Sequence, residues 1–375
     1  MTQIFLVRHG QAEGNIYRRV QGQVNAPLTR EGRAQLAYLA ERFAEIPLDA
    51  AYSSDLDRAF DTACACAGGR VPVVKDRRLR EMCFGAWEKQ PWGDVNRLYP
   101  ELKTWFLCDP DRWYVPGAER YAEVQDRMVE VMTEIGRRHE GGTVLAGCHG
   151  MAIQAFLARV LGVRSENIRE VPLPKNTAVA LLHFEEGRFV PEYYNDISHL
   201  PVPPFTPQRK TLAVPGAKDW DLHYTPFDTE NGRELFLRCY RDAWQTAHGT
   251  LRGFDERACW EGALYRAAQE PESLLAAWRE DEFAGILALD SRRGRSRGLG
   301  WISFCYVMPE LRRHHCGIQL IGTAVTWYRD RGRRALRLTV APENPAVGFY
   351  EKAGFVPVDR EDGALGRLLV MEMAI

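Results

Sequence analysis

The amino-acid sequence predicts two units in tandem. The first is an α/β unit with a three-layer, mostly parallel sheet over residues 1–200; the second is an α+β unit over 219–375. Three observations predict this. The chain has 375 residues, more than one hydrophobic core ordinarily serves. Strand and helix patterns alternate over the first part, which implies crossover connections and a parallel sheet covered on both faces. The stretch PVPPFTPQRKTLAVPGAK (201–218) then breaks both periods with prolines and reads as a semi-extended linker. Beyond it, strands cluster and are joined through a hairpin.

Taken in order, 4–7 is apolar, partly β-branched and followed by Arg8, His9 and Gly10, so it reads as a short buried strand. Thr29 is placed as the cap of a helix from about Arg30, whose apolar face is Leu36, Leu39, Ala40 and Phe43. A strand at 50–53, a helix from Asp55 and a strand at 71–74 follow. A helix from about Glu119 carries Val124, Met128, Val131 and Ile135 on one side; then come a strand at 143–146, a helix at 151–161 and a strand at 178–184. In the second unit a helical region (about 230–268) precedes strands near 283–289 and 299–307. A helix from Gly317, a strand at 336–340, a short helix and closing strands complete it.

A formal net charge of −1 gives no bias toward nucleic acid or acidic membranes. No apolar run is long enough to span a bilayer, and the first strand begins so near Met1 that no cleaved leader is expected. Nine cysteines without a CxxC pair favour reduced thiols and a cytoplasmic location over a disulfide framework. Cys64 and Cys66 point to different faces of their helix, and the adjacent residues His314, His315 and Cys316 rarely converge on one ion, so no metal site is expected. The basic stretch DSRRGRSRG (290–298) lies between two strands and reads as a solvated hairpin loop rather than a nucleic-acid site.

Arg8-His9, Arg58 in SSDLDRAFDTA, Glu81 in LREMCFGAWE and His149 in VLAGCHGM all follow predicted strands. Loops at the carboxyl ends of parallel strands converge on one crevice, so these residues are expected to meet. Together they suit a phosphate ester. A neutral imidazole attacks phosphorus; Arg8 and Arg58 hold the dianion by bidentate hydrogen bonds. A protonated His149 adds positive charge where the transition state needs it, and Glu81 exchanges protons with the leaving oxygen and the attacking water. Asn15, Gln21 and Gly22 could supply neutral donors. Cys148 reads as a small buried strand-end residue rather than a nucleophile.

FLVRHGQAEGN, the PLT of APLTREG, SSDLDRAFDTA, LREMCFGAWE and CHG resemble the motifs of the histidine phosphatase superfamily (phosphoglycerate-mutase-like), in family order across about residues 1–200. The resemblance implies that His9 is the phosphorylated nucleophile, that Arg8, Arg58 and His149 form the phosphate pocket, and that Glu81 is the proton donor. It implies a small-molecule phosphomonoester substrate and no metal. Where the family often has two glycines after the second histidine, this chain has Gly150 and Met151. A phosphatase and a mutase share all these residues; no extra substrate-gripping segment is seen, so a phosphatase is expected, with a phosphoglycerate-mutase-type phosphotransferase as the alternative.

In FCYVMPELRRHHCGIQLIGTAVTWYRDRG, a strand ending at Val307 runs through a basic turn into a helix, a place where free backbone N–H groups can receive a pyrophosphate. In LTVAPENPAVGFYEKAGF, Asn344 and Pro345 open a short helix bearing Phe349 and Tyr350, a tyrosine able to protonate a thiolate. These stretches resemble the GNAT family of N-acetyltransferases. The family's loop, Arg/Gln-x-x-Gly-x-Gly/Ala, aligns on Arg312-x-x-His315-x-Gly317, with histidine in place of the first glycine. The resemblance implies acetyl-CoA as co-substrate, held at Val307, Arg312, Arg313, His315, Gly317, Ile318 and Asn344, with Tyr350 as general acid and a small-molecule amine as acceptor. No carboxylate lies in 301–307 to act as base; Glu261 and His223 are candidates by type alone. The expectation is a bifunctional enzyme, against the alternative of a phosphatase regulated by a non-catalytic acyl-CoA-binding unit. The sequence names neither substrate nor the oligomeric state.

Overall fold

The computed structural model describes residues 1–201 and 219–375; the segment expected to be a linker lies, apart from Pro201, outside the described residues. Contacts divide the described chain into a unit of residues 1–15, 19–90 and 98–201 and a unit of residues 16–18, 91–97 and 219–375. Among the described residues no helix is long and apolar enough to cross a membrane.

The first unit is built on strands β1 (Thr2–Arg8), β2 (Ala50–Ser53), β3 (Val73–Lys75), β4 (Thr143–Cys148), β5 (Val179–Glu185) and β6 (Arg188–Asp196), in the order β3-β2-β4-β1-β5-β6. The run β3-β2-β4-β1 is parallel, as alternation with helices requires; β5 pairs antiparallel to β1 and β6 to β5. Phe5 and Val7 pack with Leu39 and Phe43 of the helix Arg30–Phe43 and with Ala63 and Ala67 of the helix Asp57–Ala67. Ile4 and Leu6 point to the opposite face by strand alternation and are fully buried too, which gives the three layers. Thr29 is the N-cap, its hydroxyl accepting from the Gly32 N–H at 2.9 Å. The expected start at Asp55 moves to Asp57 because Ser54 accepts from the Leu56 N–H and keeps the approach extended. The helix expected from Glu119 begins at Tyr121, since Glu119 donates its N–H to Cys83 O and Ala118 bridges Phe84. Phe84, Trp87, Phe106 and Trp113 form a buried aromatic cluster, Trp87 and Trp113 5.2 Å apart by ring centroids.

The second unit carries β7 (His223–Pro226), β8 (Leu274–Arg279), β9 (Glu282–Leu289), β10 (Leu299–Val307), β11 (Ala335–Val340), β12 (Val356–Gly363) and β13 (Gly366–Ala374), in the order β12-β13-β11-β10-β9-β8-β7. Among the described residues only β10 and β11 of this sheet run parallel. The helical region divides into Arg233–His248 and Glu256–Gln269. The basic stretch 290–298 does connect antiparallel β9 and β10. The β10–β11 ladder stops at the Ile302–Leu338 pair although both strands continue, and β10 bulges against β9 between Ile302 and Phe304. A bulge bends its strand, and here the two parallel strands splay toward their carboxyl ends.

Gly32 ties fold to site. A Cβ there would lie 2.0 Å from the Gln11 carbonyl oxygen, two residues beyond His9. Gly32→Ala is expected to cost about 1–3 kcal/mol of stability, measured as a lowered denaturant midpoint; an unchanged midpoint would show that this contact is slack.

Candidate active site

Strand register assembles the site. Arg8 is paired with Cys148 and Val7 with Gly147, so His9 and His149 leave neighbouring parallel strands at one level. The His9 N–H donates to Cys148 O, and the two rings stand 5.2 Å apart by centroids. Ser53 is level with Gly147 on the other side, and the chain after it enters the helix whose first turn holds Arg58. Thr62 receives the Gly10 N–H at 3.0 Å and donates to Arg58 O at 2.7 Å, locking the histidine loop to that helix. The His9 carbonyl accepts from Asn176 Nδ2 and from the Thr177 N–H.

His9 Nδ1 lies 2.7 Å from Gly10 O. A carbonyl only accepts, so Nδ1 carries the proton and Nε2 keeps its lone pair. Burial first, then Arg58 and Arg8, hold the His9 pKa well below its ordinary value, and the same cause, with the same neighbours and His9 itself, lowers His149. Burial and these cations favour the neutral imidazole at 149 in the ligand-free site, where the sequence reading expected a cation against a bound phosphate.

Arg58 is as buried as the imidazoles, and Arg8 is half-buried with its Nε enclosed. Arg58 is 1% exposed and gives terminal N–H groups to Gly22 O and Val24 O, both at 2.7 Å. Arg8 donates to Pro174 O. Burial lowers both pKa values, that of Arg58 to about 10, so both stay charged at neutral pH. Arg8 Nε, Arg58 Nε and both ring nitrogens of His149 are buried without a hydrogen-bond partner, as is Gln21 Oε1. Buried cations and orphaned N–H donors crowded together are strongly unfavourable unless an anion completes them.

Glu81 is held at the start of the helix Gly150–Leu161. Its Oε1 accepts from the N–H groups of Met82 and Ala152, and its Oε2 from that of Met151. Met151, where a second glycine was expected, thus contributes through its backbone. Asn15 Oδ1 is occupied by the Ala12 N–H and Asn176, which leaves its amide nitrogen as the donor it can offer. The Gly22 carbonyl accepts from Arg58, which leaves its N–H as the donor it can offer.

In the second unit Arg313 and His315 both adopt positive φ, 65° and 61°, ahead of the helix Cys316–Arg329. Left-handed residues in such a turn aim successive N–H groups at one point and make an anion-cradling nest. The side chain of Arg312 is engaged elsewhere, with Val307 O at 3.0 Å and Asp242 Oδ2 at 2.9 Å, so it braces the corner instead of projecting into the loop. Tyr306 also donates to Asp242. A Cβ on Gly317 would come within 3.0 Å of Phe349, so the Phe349-Tyr350 helix seats against the loop. That helix spans Val347–Ala353; Asn344 stands ahead of it, its Oδ1 accepting the Ala346 N–H. Tyr350 is 9% exposed, senses Cys305 on the splayed part of β10, and has its pKa raised by burial. Of the candidate bases, Glu261 is an exposed partner of Arg257 and His223 is buried on β7. A cleft of about 400 Å³ opens beside the end of β11, lined among others by Thr246, His248, Glu343 and Arg367.

Residues 4–197 match the model of the histidine phosphatase superfamily (branch 1), and residues 229–355 that of the acetyltransferase (GNAT) family. The chain belongs to the histidine phosphatase superfamily and carries a GNAT domain. It is 30% identical over 217 residues to the "Probable phosphoglycerate mutase GpmB" of Salmonella choleraesuis (strain SC-B67), covering 54% of this chain and 97% of that one. Identity to "Phosphoglycerate mutase-like protein 4" of Arabidopsis thaliana is also 30%, over 204 residues, covering 53% and 87%. The solved structure of Bacillus stearothermophilus YhfR matches with a TM-score of 0.51 at 32% identity, covering 53% of this chain and 99% of that one.

In the histidine phosphatase unit the structure brings together His9, His149, Arg8, Arg58 and Glu81 as the motifs predicted. The positioning roles of Thr62, Asn176 and Thr177 went unread, because a lone polar residue beside a strand or helix carries no periodic signal. In the GNAT domain Asp242 is not legible from the strand sequence, because it reaches Tyr306 and Arg312 from the helix Arg233–His248.

The buried histidines fix the sign of a pH dependence. Unfolding returns His9 and His149 to an ordinary pKa of about 6.5, so below that pH the unfolded chain binds more protons. Their contribution is complete above that value and is lost as pH falls, with a limiting slope of about 1.4 kcal/mol per pH unit for each histidine. Denaturant midpoints measured from neutral pH downward should fall accordingly, and His149→Gln should flatten the dependence by one histidine's share. A midpoint insensitive to pH would mean that the rings are already protonated in the folded state.

Proposed function

We propose that the chain is a bifunctional enzyme: it hydrolyses a small-molecule phosphomonoester through phospho-His9 and transfers an acetyl group from acetyl-CoA to a small-molecule amine. The observation that carries the first activity is the set of buried, unpartnered donors on Arg8, Arg58 and His149 gathered around an imidazole whose free lone pair is on Nε2. The phosphoryl group would sit among these donors. Nε2 attacks phosphorus as the ester P–O bond breaks, and Glu81 gives its proton to the departing oxygen. Water then attacks the phosphoramidate, Glu81 takes the water's proton, and the P–N bond breaks to restore neutral His9. The neutral His149 donates one N–H and gains a proton readily once a dianion is beside it. The similarity to phosphoglycerate mutases keeps a mutase in view; transfer to a second hydroxyl instead of water is its signature.

For the GNAT domain, support comes from the splay of β10 from β11 and the nest at 313–315. Acetyl-CoA would lay its pyrophosphate on the N–H groups at the head of the helix Cys316–Arg329 and its pantetheine along the unpaired edge of β10. Tyr350, kept protonated by burial, would protonate the departing thiolate. The cleft with Glu343 and Arg367 would receive the amine. The strained His315 and the engaged Arg312 favour the second reading, an acyl-CoA-binding regulator.

His9→Ala should lower p-nitrophenyl phosphate hydrolysis by at least about 1,000-fold; activity within tenfold of the parent would overturn the nucleophile assignment. Tyr350→Phe should lower acetyl transfer about 10- to 100-fold with unchanged CoA affinity. Calorimetric CoA binding with no transfer to any member of an amine panel would favour the regulator.

A further inference from the structure

We propose that Arg127, paired with Glu119, is a positioning residue that aims the Glu81 carboxylate, and so governs proton transfer to the leaving group. The proposal rests on reading Glu81 as the proton donor. Glu81 belongs to a loop with no strand or α-helix of its own: β3 ends at Lys75, a single helical turn covers Arg77–Leu79, and the chain then runs irregularly to Gly85. Such a loop holds a side chain steady only if its backbone is tied down.

Arg127, on the helix Tyr121–Arg138, supplies that tie. One terminal nitrogen donates to Arg78 O at 2.7 Å and Arg80 O at 2.8 Å. The other donates to Glu81 O at 3.1 Å and Glu119 Oε2 at 3.1 Å, and Nε donates to Glu119 Oε1 at 2.7 Å. A guanidinium has five N–H donors, and every one is spent on this loop or on the carboxylate that also grips it. Glu119 Oε2 in turn accepts the Cys83 N–H at 2.7 Å, and Gln23 Nε2 donates to Glu81 O at 3.1 Å. The backbone is thus held on both sides of residue 81 by a fork only 16% exposed. The carboxylate itself is held by the head of the helix Gly150–Leu161, so loop and helix must keep one spacing for Glu81 to reach the ester oxygen. Lysine offers a point charge and cannot reproduce the planar fork.

A general acid matters most when the leaving group is poor, so mispositioning one leaves a chemical signature that general loosening does not. The test is kcat/KM of the full-length protein on glycerol phosphate and on p-nitrophenyl phosphate for Arg127→Lys, Glu119→Gln and Glu81→Gln. Both clamp variants should lose about 10- to 100-fold on the alkyl ester and at most about 3-fold on the nitrophenyl ester, whose leaving group needs little protonation. Glu81→Gln should show the same selectivity, more strongly. If Glu81→Gln is selective while both clamp variants lose equally on the two esters, or lose nothing, the positioning role falls and the proton-donor reading stands. An unselective Glu81→Gln overturns both. Should Arg127→Lys fail to fold, Glu119→Gln, which keeps the shape of the pair and removes its charge, decides the matter.

Discussion

A buried Arg58 guanidinium and a half-buried Arg8 with its Nε enclosed, beside two buried imidazoles, are the constraint on which the first unit depends. Neither Arg8 nor Arg58 has a carboxylate within salt-bridge distance among the described residues, and each leaves an Nε–H unpartnered. Backbone carbonyls of Gly22, Val24 and Pro174 hold the side chains in place without neutralising them. Among the described residues Glu81 is the foremost carboxylate whose charge favours both cations. Under the proposed function a doubly negative ligand supplies what these donors lack, and in a dry site each hydrogen bond to it is strong. Burial first, and then the same charges, lower the pKa values of both imidazoles, so the site that the proposal gives to an anion also favours a free lone pair on His9.

The fold supplies the geometry cheaply. Because β1 and β4 are parallel and in register at Arg8 and Cys148, their next residues emerge side by side without any special loop. In the GNAT domain the corresponding device is a failure of pairing: parallel β10 and β11 separate after Ile302 and Leu338, leaving a wedge whose wall can still form hydrogen bonds. Its loop reaches positive φ with Arg313 and His315 instead of glycine, a strain of about 1–2 kcal/mol per residue held by the surrounding structure.

Much of this was legible in the residues alone. Apolar alternation around Phe5 and helical spacing at Leu39 and Phe43 placed the layers, and the motif order placed His9, Arg58, Glu81 and His149 on one edge. What could not be read was set by tertiary partners. The lowered pKa of His149 depends on burial and then on side chains distant in sequence, Arg58 foremost; the start of the helix at Tyr121 depends on Cys83; the fate of Arg312 depends on Asp242, seventy residues earlier. β8, an apolar run after a helix, has no alternation to distinguish it from helix core, and its identity comes from β7 and β9 on either side.

Rapid quenching of the full-length protein during turnover of a phosphorus-labelled ester, followed by mapping of the labelled peptide, addresses the central claim most directly. The label should appear on His9, as an acid-labile, base-stable phosphoramidate. A label that survives acid, or that maps to Cys148 or any residue other than His9, would contradict the assignment of the buried imidazole as nucleophile.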